Sequence, residues 1–219
     1  MLETALREFL VGVVALVLGW IGLWMNRIRT RRRAQDVAGA LISHGVLTAK
    51  LSSVCRKVGA RRAMLVKAHN GGSVPVVGRP LYVTIVAEWS GGDLPFNAPS
   101  FQATPVDGAY ISEVLLPMLS TGRALIDTCE LSKGGFLRDV YLTQGVQVAD
   151  VWLIGVDVDR SELYYAVLHW TDDSTYVGDR AETRSYMRTL VEDARGMLDL
   201  EDVSVVRQDL RQLASAPGQ

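Results

Sequence analysis

The chain has 219 residues and a formal charge of −1, but the charge is unevenly placed. Residues 1–33 carry six arginines against two glutamates, while the rest carries 17 basic and 22 acidic residues. A mildly acidic body lacks the basic footprint of a nucleic-acid binder. Cys55 and Cys129, far apart and without a CxxC, give neither a zinc site nor a redox pair.

Residues 1–8 (MLETALRE) precede an uncharged run, Phe9–Met25 (FLVGVVALVLGWIGLWM). As a helix it covers roughly 25 Å, at the short end of what spans a bilayer. Ten of its residues are Leu, Ile, Val or Phe. Together they favour insertion by about 3–6 kcal/mol. Trp20 and Trp24 fall near its end, where indole rings favour the headgroup region. A cleaved signal peptide needs a positive leading segment and a small-residue cleavage site. Here Glu3 and Glu8 oppose Arg7, and the run ends in Trp-Met-Asn-Arg. The stretch therefore reads as a retained transmembrane helix in contact with the lipid bilayer. The basic segment 26–33 (NRIRTRRR) follows, and such flanks stay cytoplasmic. The expectation is a single-pass inner-membrane protein with residues 34–219 in the cytoplasm. Gly12, Ala15, Gly19 and Gly22 align on one helix face, a pattern suited to homo-oligomer packing.

From Ala34 to Val58, apolar residues recur mostly at spacings of three and four: Val37, Leu41, Leu47, Leu51, Val54 and Val58. That is one helix face, stopped by Gly59. Arg62–His69 reads as a strand, and Asn70-Gly71-Gly72 turns the chain. Leu81–Trp89 is a second strand. Strict alternation puts Leu81, Val83, Ile85, Ala87 and Trp89 on one face, and Tyr82, Thr84, Val86 and Glu88 on the other. Ser90–Gly108 is a long segment rich in Pro and Gly, of the kind that is functional or flexible in small domains. Ala109–Leu119 reads as a short helix that Pro117 ends or distorts. A strand at Ala124–Cys129 and a helix at Phe136–Leu142 follow. Val146–Val158 and Leu163–Thr171 form an antiparallel hairpin, and Asp179–Leu200 is the final helix. The order predicts an α+β domain over 34–200, with one antiparallel sheet, and a C-terminal tail over 201–219. The first and last helices are expected on one sheet face, with the long segment and short helices on the other.

The run RAMLVKAHNGG followed by VTIVAEWS resembles small prokaryotic and phage GAF-like proteins, in which a strand ends in His-Asn-Gly and the next ends near Glu. The element order resembles the same GAF/PAS-like plan. The resemblance implies a sensory or protein-binding domain. Its pocket would lie between the sheet and the segments covering one face, and would hold a cyclic nucleotide, bilin, haem, small metabolite or nothing. By position it implies that His69, Asn70, Gly71, Tyr82 and Glu88 approach that pocket. The cyclic-nucleotide signature is missing, and neither cysteine sits where a bilin would attach, so the cofactor stays open.

Catalytic motifs are lacking in the sequence. Ser90-Gly91-Gly92-Asp93 is followed by Leu94-Pro95, not by the Glu-Phe of a GGDEF cyclase, and reads as a Gly-rich turn. There is no Walker motif, GxGxxG or GxSxG. His44 and His169 lack companions at metal-ligand spacing and read as structural. Turn chemistry alone accounts for His69-Asn70-Gly71, and a ligand or partner role is the alternative. Glu88 has no second carboxylate marked out by spacing, which leaves solvent exposure or a local ion pair. The expected function is therefore a non-catalytic, membrane-anchored binding domain. The alternative is a structural scaffold, possibly of phage origin, acting at a host membrane without a ligand.

The topology has a direct test. A green fluorescent protein fused after Gln219 should fluoresce, and alkaline phosphatase at the same place should be silent. The opposite pattern would put the domain in the periplasm.

Overall fold

The computed structural model describes residues 39, 41–70, 80–92, 94–171, 174–177 and 180–203. The apolar run 9–25, the basic segment 26–33 and the small-residue face lie outside the described residues. Among those described, no helix is long and apolar enough to cross a membrane. One compact unit begins at His44.

The chain forms a helix over 41–58 (α1) and the strands Arg62–His69 (β1), Leu81–Ser90 (β2) and Thr104–Val106 (β3). Gly108–Tyr110 (α2) leads through a π-helical turn, Ile111–Leu115, into Leu116–Thr121 (α3). Arg123–Asp127 (β4), Phe136–Thr143 (α4), Val146–Asp157 (β5), Glu162–Thr171 (β6) and Ala181–Leu198 (α5) complete it. The six strands form one sheet in the order β3-β2-β1-β6-β5-β4, and every pairing is antiparallel.

Side-chain period decides the layers. Along β1, Ala63 and Leu65 join Leu47, Leu51 and Val54 of α1 and Met187, Leu190 and Ala194 of α5 in one core. Met64, Val66 and Ala68 point to the other face, against Val114 and Met118, and Leu137 and Tyr141 of α4. The expected division of helices between the two faces is thus the observed one. Packing on α1 starts at Leu47; Leu41, predicted on the same face, is exposed. The six-residue gap between them is where the apolar stripe breaks.

Two departures come from local backbone. Pro117 lies at the start of α3, just after the π turn, in which the Leu116 N–H donates to the Ile111 carbonyl. Proline has no N–H and would press on the carbonyl four residues back, so the helix widens ahead of it. The three-residue β3, inside a segment predicted to be irregular, pairs with the start of β2. Pro105 lies within it and suits only an edge strand.

The described chain also packs beyond the predicted end of the domain. Glu201 pairs with Val156 through reciprocal backbone hydrogen bonds of 3.1 and 2.9 Å. Leu200 and Val203 enter opposite cores. Arg195 braces the turn between them by donating to the Ile154 carbonyl (2.8 Å) and pairing with Asp202 (2.7 Å). Gly155 makes this approach possible: a Cβ there would lie 2.6 Å from the Glu201 carbonyl oxygen and 3.0 Å from Leu200 Cβ. Gly155→Ala should therefore destabilise the domain by about 1–3 kcal/mol in urea unfolding, by pushing residues 200–203 off β5. A loss below about 0.5 kcal/mol, the range of ordinary surface substitutions, would show that this segment is not structural.

Candidate functional site

On the α4 face of the sheet lies a cavity of about 50 Å³. Its floor is the sheet: Met64 and Val66 of β1, Val83 and Ile85 of β2, and Val167 of β6. Phe136, Leu137, Val140 and Tyr141 of α4, with Tyr110 of α2, form one wall. Phe101, from the segment between β2 and β3, forms another. Three polar side chains share the lining: Asn97, Gln144 and His169.

A buried ionic network holds that segment in place. Arg62 Nε lies 3.1 Å from Glu88 Oε1, with both side chains 1% exposed. The other Glu88 oxygen accepts the backbone N–H groups of Asn97 and Ala98, each at 2.7 Å. Arg62 donates to Gln144 Oε1 (2.5 Å) and to the Pro95 carbonyl (2.6 Å). Asn97 and Gln144 exchange amide hydrogen bonds of 2.9 and 3.0 Å. Burial pushes the Glu88 carboxyl above its ordinary range, while the Ala98 N–H, the Arg62 charge and the Asn97 N–H pull it back. Burial likewise lowers the Arg62 guanidinium, and Glu88 opposes that shift most.

His169 stands beside Arg62 in the strand register and meets Tyr141 edge-on, ring centroids 4.9 Å apart. Burial, with the Arg62 charge adding to it, depresses the His169 pKa to about 3. The ring is therefore neutral at pH 7. Neither ring nitrogen has a hydrogen-bond partner among the described residues. Nearby, the Tyr110 and Tyr165 hydroxyls lie 2.6 Å apart. Burial raises both, Tyr110 to about 12, so both stay protonated.

The residues singled out from the sequence are divided by the sheet. Between Leu65 and Val66 the β1–β2 register shifts, and Val86 is the extra residue. A bulge of this kind reverses the alternation beyond it. Glu88 thereby joins the face of Ile85, and Ala87 moves to the opposite one, contrary to the strict alternation expected. Of the alternatives for Glu88, the local ion pair is the observed one. His69 and Tyr82 stack, centroids 6.0 Å apart, on the face opposite the cavity floor. His69 Nε2 lies 3.0 Å from Thr84 Oγ1, which also accepts the Ala103 N–H at 2.9 Å. Burial, then Lys67, lowers the His69 pKa. Asn70 is buried at the end of β1, outside the cavity lining, and Gly71 lies outside the described residues. Arg62, Asn97, Gln144 and Tyr141 were invisible to motif reasoning, because no spacing rule joins positions 62, 88, 97 and 144. His169, read from the sequence as structural, is buried and also lines the cavity.

Solved structures of the same architecture exist. A far-red cyanobacteriochrome photoreceptor matches with a TM-score of 0.52 at 12% identity, over 80% of this chain and 99% of that one. The fold is that of a GAF domain. A Synechocystis GAF domain in its photoproduct state matches with a TM-score of 0.50 at 10% identity, covering 79% and 99% of the two chains. The GAF domain region of a candidate membrane protein from Geobacter sulfurreducens matches at 0.50 and 8% identity, covering 75% and 98%. No family model matches the sequence. No curated protein matches it either. At these identities the likeness establishes the GAF fold and nothing about ligands.

Two substitutions test the site. Arg62→Met leaves Glu88 buried without its cation and should cost roughly 3–5 kcal/mol in urea unfolding. Adding Glu88→Gln should recover part of that loss; equal losses in the single and double variants would show that the pair does not act as a unit. The pH dependence isolates His169. Its folded pKa is depressed below the ordinary 6.5, so its contribution is present above about pH 6.5 and lost as pH falls toward the folded value. Relative to His169→Phe, the wild type should lose about 1.4 kcal/mol per pH unit below pH 6. Parallel stability curves would mean that the imidazole titrates freely.

Proposed function

We propose that this protein is a membrane-anchored, non-catalytic binding domain whose GAF-type cavity recognises a small uncharged molecule. The observation that carries the reading is the cavity itself: about 50 Å³, mostly apolar, with Asn97, Gln144 and His169 converging on it. A few placed polar groups in an apolar hollow are the usual composition of a ligand site. Its lining includes no carboxylate, cysteine or lysine. Glu88, the nearby acid, is engaged by Arg62 and two backbone N–H groups. These features support recognition over catalysis.

Size sets the ligand class. Drug-sized ligands and cofactors occupy about 300–1,000 Å³. Room for a few heavy atoms does not suit a pigment, although photoreceptors share the fold. The cysteines do not suit one either: Cys55 is buried in the α1–α5 core, with its thiol pushed up to about 12, and Cys129 is exposed in a turn after β4. The anchor at 9–25 and the cytoplasmic placement of the domain belong to the same proposal and rest on the apolar run and its arginine flank. So does self-association through Gly12, Ala15, Gly19 and Gly22. The stacked His69–Tyr82 pair lies away from the cavity and would serve a protein partner or pack the sheet end. The small volume also favours a second reading, a scaffold at the membrane with no ligand.

A thermal-shift screen of the full chain in detergent micelles separates the two. Nucleotides, haem, biliverdin and small uncharged metabolites would be tested in parallel. A ligand at a hundredfold excess over its dissociation constant raises stability by about 2.7 kcal/mol. For a domain of this size that is a shift of several degrees, about 2–4 °C per kcal/mol. The expected result is a shift with small uncharged compounds only. No shift with any class would favour the scaffold, and a shift with biliverdin alone would overturn the size argument.

A further inference from the structure

We infer that the occupant of the cavity is a compact, uncharged molecule carrying an N–H or O–H group that pairs with the imidazole of His169. This rests on the cavity being a ligand site and goes further by naming the group that selects the ligand. His169 is 1% exposed and forms part of the cavity wall. Neither of its nitrogens is bonded within the described protein. A neutral imidazole offers one donor and one acceptor. Leaving either buried and unpaired costs about 1–3 kcal/mol, so a ligand that pairs with it is preferred over one that cannot.

Charged ligands are disfavoured by the same surroundings. The guanidinium beside His169 is already matched by Glu88, so a carboxylate arriving there meets no free cation. A cation would approach Arg62 through apolar walls. The depressed His169 pKa agrees with a site built for neutral groups. The Tyr110 hydroxyl pairs with Tyr165, and the Asn97 and Gln144 amides pair with each other and with Arg62. Among the lining side chains of the described residues, His169 is the one whose polar atoms are buried without any hydrogen-bond partner.

Pyrazole and furan test this directly. They are five-membered rings of nearly equal size, and only pyrazole carries an N–H beside an acceptor nitrogen. Acetate serves as the charged control. Binding to the full chain in micelles would be measured by thermal shift, and by the ¹⁵N resonances of the His169 ring. The expected result is that pyrazole binds at least about tenfold more tightly than furan, the factor one paired polar group supplies. It should move the His169 nitrogen resonances, and His169→Phe should remove the preference. The nitrogen resonances are read on the wild type, so the test stands even where the variant folds poorly. Equal binding of pyrazole and furan leaves the cavity as a ligand site but overturns the role of His169. Binding of neither overturns both. Preference for acetate overturns the charge argument, and the inference with it.

Discussion

Arg62 and Glu88 hold opposite charges where almost no water reaches, and neither can stay there alone. Their attraction does not by itself offset the cost of burial. The surrounding hydrogen bonds complete it. Glu88 accepts two consecutive backbone N–H groups, and Arg62 donates to a carbonyl and to an amide side chain. Three of these partners, Pro95, Asn97 and Ala98, belong to the segment between β2 and β3. The ion pair therefore fixes the path of a stretch that has little regular structure of its own. That path places Phe101 and Asn97 in the cavity wall.

The bulge at Val86 is what makes this arrangement possible. Without the extra residue, Glu88 would face the α1–α5 core, which is built from Leu, Val, Ala and Met. A carboxylate there would have no partner. One inserted residue turns it to the face where Arg62, directly across from Ser90, reaches it. Backbone irregularity and charge burial are thus one solution to one problem. His69 and Tyr82 lie ahead of the bulge and keep the face away from the cavity, so the parity change separates Glu88 from them.

Regular periodicity was the legible part of the sequence. β1 starts and ends at the residues its composition marks, and the hairpin of β5 and β6 and the long helix α5 lie where their patterns put them. So does the division of helices between the sheet faces. The less legible features depend on contacts between distant positions. Strict alternation cannot show a bulge, because Val86 is as good a strand residue as its neighbours. β3 is three residues long and contains proline, so its pairing comes from β2 rather than from propensity. Glu201 reads as the start of a tail, and only the missing side chain of Gly155 lets it pair with β5. The GAF resemblance, carried by Arg62–Trp89, pointed to the right fold, while His69 of its strand end lies on the face away from the cavity.

The cavity and the ion pair's hydrogen-bond network share two residues, Asn97 and Gln144, and that sharing bears on how such a domain would report binding. The side chain of Asn97 lies in the wall and exchanges hydrogen bonds with Gln144, while its backbone N–H holds Glu88. Gln144 lies in the wall too, and its oxygen accepts a hydrogen bond from Arg62. A molecule that displaces either amide must reorganise bonds to a buried charge, and each such bond is worth about 1.5–3 kcal/mol. That is comparable to the whole coupling energy of a typical regulated protein, about 1–3 kcal/mol. A ligand resting on His169 and the apolar floor alone would leave the network intact and only stiffen it. Under the proposed function, occupancy of the His169 end would stabilise the described state, and intrusion at the Asn97 end would oppose it through the ion pair.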